Sequence, residues 1–184
     1  MERVKTMPSF YEKTIKSETI FEGKVISVKK EWIEAKNKKI YPRELVLHRG
    51  AVCILPVLDD GRIILVKQYR KAIESELWEI PAGKIEVGET DLKAVATREL
   101  EEEIQKKGKL KEVMSFYPSP GFSSEKLTLF IATHLEEVEN AHLGDEDEFL
   151  EIKAFDKQGL QTLMQTEKID AKTMIALQYY FMHR

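Results

Sequence analysis

Glu99, Glu102 and Glu103 stand in the run Arg98-Glu99-Leu100-Glu101-Glu102-Glu103. On a helix, positions i, i+3 and i+4 share a face, so this spacing gathers three carboxylates. Unpaired, they repel one another. A hard divalent cation such as Mg2+ resolves the repulsion, because it takes oxygen ligands and keeps water and phosphate oxygens as further partners. Alone, a Glu-rich run of this kind is more often a solvated helix face. The segment ahead of it shifts the balance. Ala82-Gly83-Lys84-Ile85-Glu86-Val87-Gly88-Glu89 carries two glycines that let the backbone turn tightly and approach a ligand closely. It also offers the Ala82 carbonyl as a fourth oxygen donor. The chemistry implied is metal-assisted and directed at a phosphate.

Composition narrows the field. The 184 residues suit one domain, or one domain with a small extra subdomain. Hydrophobic residues make up 42% and charged residues 33%, so a sizeable core forms and bulk disorder is excluded. The net charge of −3 argues against a dedicated nucleic-acid or membrane-surface binder. That near-neutral total conceals two acidic segments. Residues 83–103 hold seven acids and three bases, and residues 135–151 hold eight acids and no base. The remainder is positive and includes Arg43 and Arg70. Cys53 is the single cysteine, so neither an intrachain disulfide nor a cysteine zinc site is available. Its run Ala51-Val52-Cys53-Ile54-Leu55 reads as an inert buried thiol. No signal-peptide-like stretch opens the chain and no run reaches the ~20 apolar residues of a membrane span. A cytoplasmic protein is the expectation. His48, His134, His142 and His183 show no metal-ligand spacing and receive no role.

The elements that must position these residues follow from pattern. Residues 13–21, 24–34 and 39–48 read as strands, with Pro42 marking the third as an edge. Residues 51–58 and 62–69 flank Asp59-Asp60-Gly61, a hairpin signal. A short strand spans 77–80. Residues 91–107 read as a helix capped by Thr90 or Asp91 and closed by Lys106, Lys107 and Gly108. Strands follow at 110–117 and 126–134 around a Ser-Pro-Gly loop. An acidic irregular stretch occupies 135–148, then come a strand at 149–154 and helices at 156–165 and 170–182. Strands on both sides of a central helix, with helices at the end, indicate an α+β or α/β/α sandwich.

Gly83, five residues, Glu89, a further stretch and Arg98-Glu99-Leu100-Glu101-Glu102-Glu103 resemble the Nudix box of pyrophosphohydrolases. Ala51, Pro81-Ala82-Gly83, Ser119-Pro120-Gly121, Asp145-Glu146-Asp147-Glu148 and Asp170-Ala171-Lys172-Thr173 resemble the ADP-ribose pyrophosphatase branch, so the likeness covers most of residues 10–182. It implies an α+β protein: a Nudix α/β/α sandwich with a mixed sheet over 49–184, and a small N-terminal antiparallel β subdomain over 1–48. It implies Mg2+-dependent hydrolysis of ADP-ribose to AMP and ribose 5-phosphate, with two or three ions, for which Mn2+ substitutes. By the same resemblance, the Ala82 carbonyl, Glu99, Glu102, Glu103 and Glu148 hold metal, and Glu146 is the general base. Glu102 also counts as catalytic, and Glu125 is a weaker candidate for the base. Arg43, Glu44 and Arg70 match nucleotide- and phosphate-contacting positions, joined by Gly83, Gly121 and Glu125. Arg suits bidentate phosphate recognition, although Arg43 and Glu44 read equally as exposed strand residues. Tyr69, Phe122 and Trp32 are candidates for stacking on adenine, though each is more often a core residue. A homodimer with swapped N-terminal strands is the expected assembly. The alternatives are a pyrophosphatase for another nucleoside diphosphate derivative, or a non-catalytic nucleotide-binding module.

Two departures from the family pattern carry expectations of their own. Eight residues separate Glu89 from Arg98 where the family has seven, and Gln105 stands where it has Gly. At ~100° per residue, Leu92 and Val95 fall beside Glu99 while Leu100 and Ile104 fall well around the helix. Omitting Thr97 restores one apolar stripe. This predicts a π-type bulge with an i→i+5 hydrogen bond around 93–99; the competing placement puts the extra residue at Thr90-Asp91. The contact it places at risk is Glu89 with Arg98.

Overall fold

A computed structural model describes residues 9–139 and 149–183. Two compact units divide the chain: residues up to Arg49 together with Ser119–Glu125, and Gly50–Pro118 together with Lys126 onward. In the first, β1 (Lys13–Glu22), β2 (Ile26–Glu34) and β3 (Ile40–His48) form an antiparallel sheet in that order. Asn37 turns the chain between β2 and β3, its Oδ1 accepting from Lys39 N at 3.0 Å. Pro42 sits on β3 opposite Trp32, on a strand with only one ladder partner, where a missing N–H is tolerated. The 119–125 loop runs along β3: Val46 N donates to Phe122 O at 2.8 Å and Ser124 N to Val46 O at 2.9 Å.

The second unit contains β4 (Ala51–Pro56), β5 (Ile63–Arg70), β6 (Ser75–Glu79), β7 (Ala82–Lys84), α1 (Leu92–Ile104), β8 (Lys106–Phe116), β9 (Leu127–Glu137), β10 (Glu151–Phe155), α2 (Lys157–Thr166) and α3 (Ala171–Met182). One sheet runs β7-β4-β9-β8, with β4 and β9 parallel and its other pairs antiparallel; a second runs β10-β5-β6. The continuous apolar run of β4 now has its reason: both faces are covered. Ala51, Cys53 and Leu55 pack with Leu160, Leu163 and Leu177 of α2 and α3, while Val52 and Ile54 pack with Val95, Ala96, Leu100 and Ile104 of α1. The α/β/α layering and the mixed sheet are as read from the sequence. Cys53 is fully buried, and burial pushes its thiol up to about 12, which leaves it unreactive.

Several expectations need correction. The Asp59-Asp60-Gly61 turn forms, with Leu58 N donating to Arg62 O at 2.8 Å. Only the single bridge Val57–Ile63 closes it before the strands part into different sheets. The chain is regularly α-helical from Leu92 to Ile104, so the π-type bulge is absent. Asp91 caps this helix, Oδ1 accepting from Lys93 N at 3.0 Å and Ala94 N at 3.2 Å. The extra residue is therefore absorbed ahead of the helix, at Thr90-Asp91. The phase argument failed because it placed the carboxylates opposite the apolar stripe. Val95, Ala96, Glu99, Leu100, Glu103 and Ile104 form one buried stripe, with two glutamates inside it. The helix also ends earlier than expected. Gln105, at φ 54°, closes it in the left-handed conformation, and Lys106 begins β8. β7 was not foreseen, and β9 extends to Glu137 into the stretch read as irregular.

Candidate active site

Backbone pairing fixes the loop that faces α1. Ile54 N donates to Pro81 O at 2.8 Å, Ala82 pairs with Cys53 and Gly83 with Val52. Onto this rigid strip the helix directs Glu99 and Glu103, each 8% exposed. Glu103 Oε1 accepts from Ala82 N at 3.3 Å. Glu99 lies closer still: a Cβ built on Gly83 would stand 1.8 Å from its Cδ and 1.9 and 2.0 Å from its oxygens. Gly83 is thus required for want of a side chain, and its bare Cα forms a cradle for the Glu99 carboxylate. Glu102 flanks the pair, half-buried.

Arg98 binds the acids together. It pairs with Glu102 at 2.7 Å, Glu99 at 2.8 Å and Glu89 at 3.3 Å, and its Nη2 donates to the Lys84 carbonyl at 3.4 Å. The Glu89–Arg98 tie therefore survives the extra residue, because the loop and not the helix absorbs it. Burial disfavours the charge on Arg98, but Glu99 and Glu102 outweigh it and hold its pKa above the usual range. The carboxylates are consequently not the unpaired repelling set expected from spacing; one guanidinium partly compensates them. Among the described residues no three acid, imidazole or thiol side chains stand preassembled as a metal cage. The donor set nonetheless suits a hard cation: carboxylates of Glu99, Glu102 and Glu103 and the strand carbonyls, oxygen only, with the Gly83 cradle holding one carboxylate against the backbone.

Beside this cluster lies an ionic network in which sequence reasoning gave a role to Arg70 alone. Glu79, 1% exposed, accepts from Arg70 Nε and Nη2, both at 2.7 Å, and from Lys172 Nζ. Lys172 also donates to Asp170 Oδ2 at 2.6 Å. Burial pushes the Glu79 carboxyl up, but Arg70 and Lys172 outweigh it and hold it below the usual carboxylate value; Lys172 is burdened by burial yet raised by Asp170 and Glu79. The charge of Glu103 also reaches Arg70. The signal available was an acid inside the apolar run Leu77-Trp78-Glu79-Ile80, since a buried carboxylate needs a cation. Arg70, expected as a phosphate contact, is thus already engaged through two of its nitrogens.

The structure brings together Ala82, Gly83, Glu99, Glu102 and Glu103, with the charge of Arg70 in reach. Arg43, Glu44, Gly121 and Glu125 belong to the first unit. There Arg43 pairs with Glu12, Glu44 is exposed, and Glu125 approaches His48 Nδ1 at 3.9 Å. Of the aromatic candidates, Tyr69 and Phe122 are more than half exposed, and Trp32 carries the Lys16 ammonium over its ring at 4.3 Å. Glu146 and Glu148 lie outside the described residues.

Comparison with known proteins bears on the family of the chain. The model of the NUDIX domain matches residues 47–177. The chain is 45% identical to an ADP-ribose pyrophosphatase of Bacillus subtilis over 94% of both chains. It is 42% identical to a methanol dehydrogenase activator of Bacillus methanolicus over 92% of both. Among solved structures, an ADP compounds hydrolase superposes with a TM-score of 0.79 at 25% identity, covering 93% of each chain. With the box, the fold and these likenesses in agreement, the chain belongs to the Nudix domain family.

Proposed function

We propose that this protein hydrolyses the diphosphate bond of ADP-ribose, giving AMP and ribose 5-phosphate, with Mg2+ as cofactor. The observation that carries the reading is the convergence of Glu99 and Glu103 on the Ala82-Gly83 strip, supported by the 45% identity to an ADP-ribose pyrophosphatase. The Ala82 carbonyl, Glu99, Glu102, Glu103 and Glu148 would hold two or three Mg2+ ions, with Mn2+ as a substitute. When bound, such ions neutralise the diphosphate and lower the pKa of a water. Glu146 takes the proton of the attacking water as its oxygen bonds to phosphorus and the bridging P–O bond breaks. Arg70, Arg43 and Glu44, with the backbone at Gly83 and Gly121 and with Glu125, hold the nucleotide and its phosphates. The surroundings are cytoplasmic and the assembly is a homodimer. Ile15, Ile20, Phe21, Ile40 and Tyr41, exposed on the N-terminal sheet, supply apolar area for a second copy.

The test is a panel of nucleoside diphosphate derivatives with Mg2+, run on wild type, Glu103→Gln and Glu146→Gln. ADP-ribose is expected to be the preferred substrate, and Glu146→Gln to lower kcat by about 10²-fold with the fold intact. Preference for another derivative moves the substrate assignment. Near-normal kcat in Glu146→Gln moves the base to Glu125 or Glu148. Absence of turnover across the panel establishes a binding module instead.

A further inference from the structure

The Glu79–Arg70–Lys172–Asp170 network joins the start of α3 to the strand leading into the carboxylate site, and it does so at more than one point. Asp170 caps α3, its Oδ1 accepting from Thr173 N at 3.1 Å. Thr173 Oγ1 accepts from Ile80 N at 2.9 Å, and Lys172 donates to the carboxylate of Glu79. Asp170, Lys172 and Thr173 therefore grip Glu79-Ile80, two residues before Ala82. Lys172 is 6% exposed and Thr173 fully buried, so neither contacts solvent-borne substrate directly. Glu79 in turn holds Arg70 in the bidentate geometry that fixes a guanidinium plane. That grip uses Nε and Nη2 and leaves Nη1 unused by Glu79.

From this geometry we infer that Lys172 is a positioning residue: by fixing the Glu79 carboxylate it sets the plane of Arg70, so that the remaining guanidinium edge is aimed at the substrate phosphates beside Glu103. Glu79 shares its charge between two cations, and Lys172, itself anchored on Asp170, prevents the carboxylate from swinging with the long Arg70 side chain. A buried lysine is a costly way to fill volume. An apolar side chain would serve that purpose, whereas orienting a carboxylate that carries an arginine requires a charge-assisted donor. The inference rests on Arg70 contacting phosphate in the proposed reaction.

A double-mutant cycle with Lys172→Met and Arg70→Gln, assayed for kcat/KM on ADP-ribose with Mg2+, separates positioning from general support. Lys172→Met is expected to lower kcat/KM by about tenfold or more in the wild-type background, and to change it less than twofold in the Arg70→Gln background. Equal effects in both backgrounds would overturn the proposal, because a structural role does not require Arg70. Should Lys172→Met not yield folded protein, Lys172→Gln, which removes the charge and shortens the reach towards Glu79, carries the same comparison. An activity-independent readout is the Nε–H signal of Arg70 by NMR. Slow solvent exchange in the wild type that becomes fast in Lys172→Met supports the brace; unchanged exchange overturns it. If the wild type turns over no ADP-ribose, the functional reading falls, and the Nε–H measurement still decides whether Lys172 orients Arg70.

Discussion

Gly83→Ala isolates the geometry on which the active-site reading depends. The new Cβ would stand 1.8 Å from Glu99 Cδ, whereas ordinary van der Waals contact begins near 3.4 Å. The carboxylate must therefore retreat by roughly 1.6 Å, a distance comparable to a Mg–O bond of about 2.0–2.1 Å. Misplacement of a reacting or ligating group by about 1 Å costs up to 10²-fold in rate, so kcat/KM on ADP-ribose should fall by about that factor. The Mg2+ concentration for half-maximal rate should rise by about tenfold or more. Stability should change little, within about 1 kcal/mol. The displaced atoms are the far end of a flexible side chain, and Gly83 is not among the glycines with positive φ. Gly61→Ala is the converse control. Gly61 has open space around it but φ +85°, so alanine there should cost about 1–2 kcal/mol and leave turnover unchanged. The assay is AMP release against a Mg2+ titration, beside thermal unfolding of both variants. Wild-type turnover and Mg2+ dependence in Gly83→Ala would refute the reasoning, as would a collapse of its melting temperature with kcat/KM preserved.

Two further outcomes follow from the same structure. Gln105 closes α1 at φ 54°, where a side chain is strained and glycine is not. Gln105→Gly should therefore stabilise the protein by about 0.5–1 kcal/mol, seen as a rise of roughly 1–4 °C in thermal unfolding; a lower melting temperature would contradict this. The carboxyl of Glu79 is held below its ordinary value of 4.5. Its contribution is therefore present above the unfolded value and lost as pH falls through the lower folded value. Glu79→Gln should cost about 3 kcal/mol or more near neutrality, and should shed part of the wild type's stability loss below about pH 4.5, measured by urea unfolding. An unchanged acid limb would show that the network does not carry that pH dependence.

The candidate site was legible because its signals are local. A glutamate triplet at helical spacing and glycines before it can be read without knowing what else folds nearby. The layering was legible for a similar reason, since β4 is apolar at successive positions only if both its faces are covered. What escaped the sequence was non-local. The purpose of Gly83 depends on Glu99, sixteen residues away, packing onto its Cα. Glu79 became meaningful only with Lys172, separated from it by 93 residues. The helix phase was misjudged on a different physical ground. Glu99 and Glu103 were assumed to avoid the buried stripe, because carboxylates usually do. Here Arg98 and the Ala82 N–H supply what burial removes, and the helix needs no irregularity to keep its apolar residues together. An insertion is also absorbed more readily before a cap than inside a hydrogen-bonded helix, and Asp91 is that cap.

Two ionic clusters lie side by side in this unit, and their charge balance distinguishes them. In one, Glu79 and Asp170 face Arg70 and Lys172, two acids against two bases, and the bonds close on one another. Such a set is balanced as it stands, so it needs no metal ion to hold it together, and Arg70 keeps a guanidinium edge that Glu79 does not use. In the other, Glu89, Glu99 and Glu102 share the single guanidinium of Arg98, and Glu103 adds a fourth carboxylate beside them. Carboxylates outnumber the guanidinium they share in this cluster, and close carboxylates are costly in a partly buried site unless they are balanced. A divalent ion would balance such a set while keeping coordination positions for water and phosphate oxygens. Acidic side chains are common to both clusters, and their number alone separates neither from a solvated surface. The surplus of carboxylates, held against a backbone that glycine leaves bare, distinguishes the proposed reaction centre from the balanced network beside it.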